Sequence, residues 1–341
     1  MNTRPKKWSI ASCIFRYGIH HSREGRLLDA IADFYNSYAS VINFIGINAI
    51  LGLSLYLTLS CGLLSLANAA FMGIGAYTAA LLTLKQDWPF PAVLLAGGLM
   101  ATLVAVPLGV PVLRLRGVFL AISTIGFGEV TRIVIINWGT TGGALGLPSI
   151  PQKTDWWHIY GLLALVLFLC WRLRGSRMGF AMEAIREDEA AARTMGVNTT
   201  YYKVLAFMLS AFIAGLAGAL DAHYVRAIGP NQYGFQKAVD ILIYAVVGGM
   251  TSFFGPVLGA ALITSIPEVL REDTFRDLGI EPGADRVIIN GLILLGVILF
   301  LPRGLASLFD RGWSLPRWRR PRGPQGEPVG GETLSRGEAA P

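Results

Sequence analysis

The side chains best equipped for chemistry cluster at 178–203, MGFAMEAIREDEAAARTMGVNTTYYK, where Arg186, Glu187, Asp188, Glu189 and Arg193 crowd about two helical turns. Three adjacent carboxylates could be taken for an acidic catalytic cluster. On a helix, however, alternating charge of this kind more simply faces solvent or a partner protein. A second candidate is Glu129 with Arg132, spaced i, i+3 inside an otherwise apolar stretch, where charge is costly and the two can pair on one helix face. The pair reads either as a polar element beside a substrate path or as a neutralised lock between neighbouring helices. Asn68 is the third, an amide in a Gly-rich apolar run, suited to bridging helices or to touching a solute. Neither H-E-x-x-H nor G-x-S-x-G occurs. Cys13, Cys61 and Cys170 have no paired spacing, and the four histidines are scattered, so neither a disulfide framework nor a metal site is expected.

The 178–203 run is too charged to cross a membrane, yet Ala and Glu make it a good helix. Gly196 supplies a left-handed stop, and Asn198 or Thr199 a cap for the next helix. At helical spacing Ala181, Ala184, Ile185, Asp188, Ala191, Ala192 and Met195 share one small, mostly apolar face, flanked by Arg186, Glu187, Glu189 and Arg193. Such a face suits a groove on a partner protein. A helix lying on lipid headgroups normally carries large anchors and a strongly basic rim, and this one has alanine and mixed charge instead.

These residues must be positioned by membrane helices. The 341 residues are 53% hydrophobic and only 15% charged, with mean hydropathy +0.51, whereas soluble domains carry about 25% charge. The net charge of +7 fits an excess of Lys and Arg on cytoplasmic loops better than a nucleic-acid partner. Apolar runs at 40–60, 62–84, 91–113, 117–137, 157–172, 203–221, 239–270 and 287–302 are candidate spans. Basic clusters at Arg4–Arg16, Arg114/Arg116, Arg172–Arg177 and Arg303–Arg320 go inside, and Trp138 and Trp156-Trp157 fall at the outer interface. This assignment requires an odd number of crossings between 39 and 85, met by one span plus a re-entrant or broken hairpin at 62–84. It requires an even number between 238 and 271, met by two half-helices around Gly255-Pro256. Gly255 and Gly259 also form G-x-x-x-G, a spacing for close helix approach or for a turn. Residues 1–38 lack a continuous apolar core and read as a cytoplasmic segment with an interfacial helix at 27–38. Residues 39–302 form the transmembrane domain, and 303–341 a disordered cytoplasmic tail.

AIREDEAAARTMGVN (184–198) resembles the cytoplasmic coupling loop of ABC importer permeases, specifically the high-affinity branched-chain amino acid permeases. GLLSLANAAFMGIGAYTAALL (62–82), RLRGVFLAISTIGFGEVTRIVIINW (114–138), TGGALGLPSIP (141–151) and VVGGMTSFFGPVLGAALI (246–263) are similar to that family's blocks in order and spacing. The chain departs from them at Gly62-Leu63 and Ala67-Asn68, where Gly-Gln and Gly-His are usual, and at Thr251, where Gly is commoner. The resemblance implies an all-α, polytopic transmembrane bundle with broken or re-entrant segments, of the type II ABC importer kind, in the bacterial inner membrane with both termini cytoplasmic. It implies alternating-access import of branched-chain or related amino acids, with urea or short-amide import as the near alternative and an ion-coupled secondary transporter as the remote one. The implied partners are a second, homologous permease subunit in a heterodimer, two ATPase subunits, an extracytoplasmic binding protein and membrane lipid. No cofactor is expected on this chain, which has no G-x-x-x-x-G-K-[ST] loop, so ATP would be used by the partners. The implied coupling residues are Ala184, Arg186, Glu187, Asp188, Ala191, Ala192 and Gly196, and Asn68, Glu129 and Arg132 are candidates for the path.

Overall fold

A computed structural model describes residues 23–115, 117–249 and 252–269. The described residues are helical throughout, apart from connecting turns and one isolated antiparallel bridge between Leu147 and Ile228. In chain order the helices are α1 (Arg23–Leu59), α2 (Asn68–Gln86), α3 (Phe90–Val112), α4 (Val118–Asn137), α5 (Trp156–Arg174), α6 (Arg177–Glu187), α7 (Glu189–Thr194), α8 (Thr199–Val225), α9 (Phe235–Gly248) and α10 (Gly255–Val269). Among the described residues five segments are long and apolar enough to cross a membrane: Ala39–Leu59, Phe90–Val112, Val118–Asn137, Trp156–Arg174 and Thr199–Val225.

The centre of the bundle is built from small residues. Helices α2, α3 and α8 pack so closely that a Cβ on Gly75 would strike the carbonyl oxygen of Gly215, and one on Gly218 that of Met72. In lipid, apolar burial gives no net drive for helices to associate, so close backbone approach through Gly and Ala supplies dispersion contacts instead. Larger side chains seal the rim of this seam. Phe71 packs edge-on against Phe207 at 5.4 Å and tilted against Phe127 at 5.6 Å. On the outside, Leu99, Leu103, Phe119 and Phe168 remain exposed, as expected of surfaces solvated by hydrocarbon or a second subunit.

Of the two irregular segments anticipated from the sequence, 239–270 is two half-helices as expected, whereas 62–84 is not a broken hairpin: Asn68–Gln86 is one continuous helix. Chain 60–67 is non-helical and runs back into the bundle, where the backbone N–H of Leu66 donates to Thr124 Oγ1 at 3.0 Å. Irregular backbone at membrane depth needs such internal partners. Helices α9 and α10 form two half-length arms joined through 249–254, and a Cβ on Gly259 would meet the carbonyl of Tyr244. Close approach and turn therefore coexist in the G-x-x-x-G segment.

The path of α1 differs from expectation. The hydroxyl of Tyr160 donates to the carbonyl of Ile42 at 2.8 Å, and Phe44 meets Tyr224 edge-on at 5.3 Å, so this part of α1 lies beside the start of α5 and the end of α8. Its other end lies beside α6: Ser60 Oγ is 3.9 Å from Met182 Sδ. Helix α2 then returns, starting level with Ser210 and reaching His223, whose Nε2 is 2.8 Å from Thr83 Oγ1. Helices α1 and α2 thus make two passes, not an odd number, and 39 and 85 lie at the same end of the bundle. The geometric reason is that Asn68–Gln86 is one continuous helix running back along the bundle, where a re-entrant or broken hairpin was expected. The 27–38 segment, read as a separate interfacial helix, is continuous with the span in α1. Residues 1–22, the candidate span at 287–302 and the tail at 303–341 lie outside the described residues.

Candidate functional site

The 178–203 run forms two helices instead of one. Ser176 caps α6, its Oγ accepting from the N–H of Gly179 at 3.3 Å. Asp188 leaves the helical region at φ −154°, ψ 108°, and its Oδ1 accepts from the N–H groups of Ala190 at 2.8 Å and Ala191 at 3.1 Å. Asp188 is therefore the N-cap of α7 rather than a carboxylate within one continuous face. A short carboxylate competes with the helix for backbone donors, and here it wins. Gly196 ends α7 with φ +83°, a conformation open to glycine at little cost. Asn198 caps α8 by accepting from Tyr201 N–H at 3.2 Å.

The break splits the anticipated face in two. Ile185 and Ala192 are buried together with Met182, whereas Ala184, Asp188, Ala191 and Met195 are exposed with Arg186, Glu187 and Gly196. Inward residues tie the loop to the bundle at two places. Met182 meets Ser60 at the end of α1, and a Cβ on Gly62 would lie 3.4 Å from Arg186 Cα. At the second place Glu189 pairs with Lys203 of α8 at 2.8 Å and with Arg193 at 2.7 Å, while Arg193 Nε also donates to Thr199 Oγ1 at 2.9 Å. The Lys203 and Glu189 side chains are only 10% and 18% exposed. The outward strip, which also carries exposed Phe180 and Met195, thus stands on a base fixed to both α1 and α8. Neither Lys203 nor Met182 was singled out from sequence; the i, i+3 spacing of Met182 with Ile185 was the available signal.

Glu129 and Arg132 pair with each other, and no hydrogen bond among the described residues joins Asn68 to either of them. Asn68 Nδ2 donates to Ser54 Oγ at 2.7 Å and to Ser210 Oγ at 3.0 Å, bridging α1, α2 and α8, while its Oδ1 is buried without a hydrogen-bond partner. Arg132 Nε donates to Glu129 Oε2 at 2.8 Å and its guanidinium to Asn231 Oδ1 at 3.0 Å, joining α4 to the turn before α9. Sequence reading missed a further polar group on the same side of the hairpin. Lys237 Nζ donates to Asn48 Oδ1 at 2.9 Å, Asn48 Nδ2 donates to Thr264 Oγ1 at 3.0 Å, and Tyr233 donates to Asp221 at 3.2 Å. Lys237 and Asp240 sit one helical turn apart at the start of α9, both half-buried. Among the described residues no group of His, Cys, Asp and Glu is arranged to hold a metal ion.

Residues 37–301 match the family model described as "Branched-chain amino acid transport system / permease component". The high-affinity branched-chain amino acid transport system permease proteins LivM of Escherichia coli K12 and Salmonella typhimurium are each 34% identical over 303 residues, covering 79% of this chain and 68% of the relative. The autoinducer 2 import system permease protein LsrC of Escherichia coli O9:H4 is 30% identical over 194 residues, covering 52% of this chain and 54% of the relative. These relatives are transport permeases and not enzymes. With its five apolar spans and broken segments, the chain belongs to the permease components of branched-chain amino acid transport systems and is a multi-pass, membrane-spanning subunit of an ABC importer.

Proposed function

We propose that this subunit imports branched-chain amino acids, driven by separate ATPase subunits that dock on the exposed strip of α6 and α7. The observation that supports the reading best is the double anchoring of that strip. A push on Arg186, Glu187 or Ala191 has two rigid outlets, through Met182 into α1 and through Glu189–Lys203 into α8. Both helices pass along the central seam, so closure of the ATPases would reach the bundle as a tilt, the motion alternating access requires. The loop end bears Arg114, Arg172 and Arg174 and would face the cytoplasm, which puts residue 39 of α1 on the outer side. A second permease subunit and a binding protein outside complete the assembly.

The amino-acid substrate rests on the LivM relatives, and the polar group along α9 suits it. A zwitterion presents one cationic and one anionic end, and Lys237 with Asp240 offers one of each beside the half-helix hairpin. Broken helices of this kind line solute paths in transporters. The test is uptake of radiolabelled leucine into proteoliposomes holding the complete complex, with urea and other solutes as competitors. ATP-dependent leucine uptake without an ion gradient is the expected result. Uptake sustained by a gradient with the ATPases absent, or competition by urea but not by isoleucine, would overturn the proposal.

A further inference from the structure

Between the end of α3, helix α7 and the start of α8 lies a cavity of about 330 Å³, lined by Val110, Leu113, Arg114, Glu189, Arg193 and Lys203, with Thr200 and Val204 completing the wall. Its charge is unbalanced: three cations against one carboxylate. Glu189 already serves both Arg193 and Lys203, at 2.7 and 2.8 Å. The guanidinium of Arg114 has no ion pair among the described residues. An excess of positive charge around a cavity favours an anion, and guanidinium groups suit the oxygens of a phosphate.

The other half of the wall identifies the source of that phosphate. Val110, Leu113 and Val204 are apolar, and Val110 continues the exposed apolar stripe of α3 through Leu99, Leu103 and Val106. The cavity sits at the ends of two membrane-spanning helices, the level at which headgroups meet hydrocarbon. An exposed apolar stripe rising from a basic cavity at this level fits one molecule class, a diacyl lipid with an anionic head. We propose that this cavity binds the phosphodiester of an anionic phospholipid, with Arg114, Arg193 and Lys203 on the head and the α3 stripe along an acyl chain. The site lies on the face of α7 turned towards α8, whereas Ala191 remains exposed on the outer strip. It is independent of the substrate assignment.

The test uses the assembled transporter in nanodiscs of phosphatidylcholine with or without phosphatidylglycerol, followed by native mass spectrometry of retained lipid. The wild-type complex is expected to retain phosphatidylglycerol in preference to phosphatidylcholine. Arg114→Gln should reduce that preference about fivefold, the factor one basic contact near an anionic surface carries. Arg114→Lys should keep most of it. Equal retention of the two lipids by the wild type, or an unchanged preference in Arg114→Gln, would refute the site. Displacement of the retained lipid by millimolar inorganic phosphate would assign the cavity to a soluble anion and overturn the lipid proposal. Because Arg114 is exposed, its substitution should leave the unfolding temperature in place. A fall in that temperature matching the loss of lipid in lipid-free detergent would show a structural role instead.

Discussion

Asn68 and Glu129 illustrate how far burial changes the worth of a polar side chain. Asn68 holds α1, α2 and α8 through two short hydrogen bonds, and side-chain bonds in membranes average about 0.6 kcal/mol each. Asn68→Ala should therefore lower the stability of the purified complex by about 1 kcal/mol while leaving the apparent KM for substrate unchanged. A raised KM at unaltered stability would return Asn68 to the substrate path. The ion pairs separate in the same way. Glu129–Arg132 is about a third exposed, and losing it should cost about 1 kcal/mol or less. Glu189→Ala leaves the nearly buried Lys203 beside Arg193 without their shared carboxylate, and should cost about 3 kcal/mol. The double change Glu189→Met with Lys203→Met should recover most of that, since the only charge then left without its partner is Arg193, whose half-exposed side chain water can solvate. Thermal unfolding of the four variants checks the order. Cys61, in the 60–67 segment that follows α1, is buried, so maleimide at pH 8 should spare it in the folded protein and label it in detergent-denatured protein.

The pair α6–α7 is a stiff connector with one surface committed and one free. Gly196 ends it at φ +83° with no neighbour within 4 Å of an added Cβ, so Gly196→Val acts on the backbone alone, at roughly 1–2 kcal/mol. Ala191→Trp alters only the exposed strip. Both variants should insert normally and lose ATP-driven uptake at least tenfold, with ATP hydrolysis by the complex persisting or becoming independent of substrate. Wild-type coupling in both would remove the strip from the transmission route. Sequence pattern was sufficient to find this connector, since Gly196 and Asn198 are unmistakable end signals. It could not show that Asp188 divides the connector, because Asp is tolerated inside a helix and favoured at a cap, and only the packed arrangement selects between them. Nor could it match Lys237 with Asn48, or Glu189 with Lys203: partners chosen by packing leave no spacing to read. The small-residue seam is a firmer case. Gly75 and Gly218 stand against backbone carbonyls, so Gly218→Val should prevent α2 and α8 from closing and abolish assembly of detergent-stable protein.

Run length and composition told the class of molecule, yet misassigned the direction of α1 relative to α2. The cause is physical: hydropathy carries no sign along a helix, and the basic residues of 1–16, counted as one of the inside clusters, lie outside the described helices. Contacts break the tie. Ile42 lies beside Tyr160, and Ser60 beside Met182, so whichever side holds α6 and α7 also holds the end of α1, and the 39–46 end must emerge opposite. This can be tested in intact cells with single cysteines at exposed positions in a background from which the native cysteines are removed. Ser40→Cys should react with a membrane-impermeant maleimide added outside, and Ala191→Cys only after the membrane is opened. If Ser40→Cys instead stayed protected until permeabilisation, as Ala191→Cys does, the two-pass arrangement of α1 and α2 would be wrong, and the push from α6 could not travel up α1 towards the outer half of the bundle.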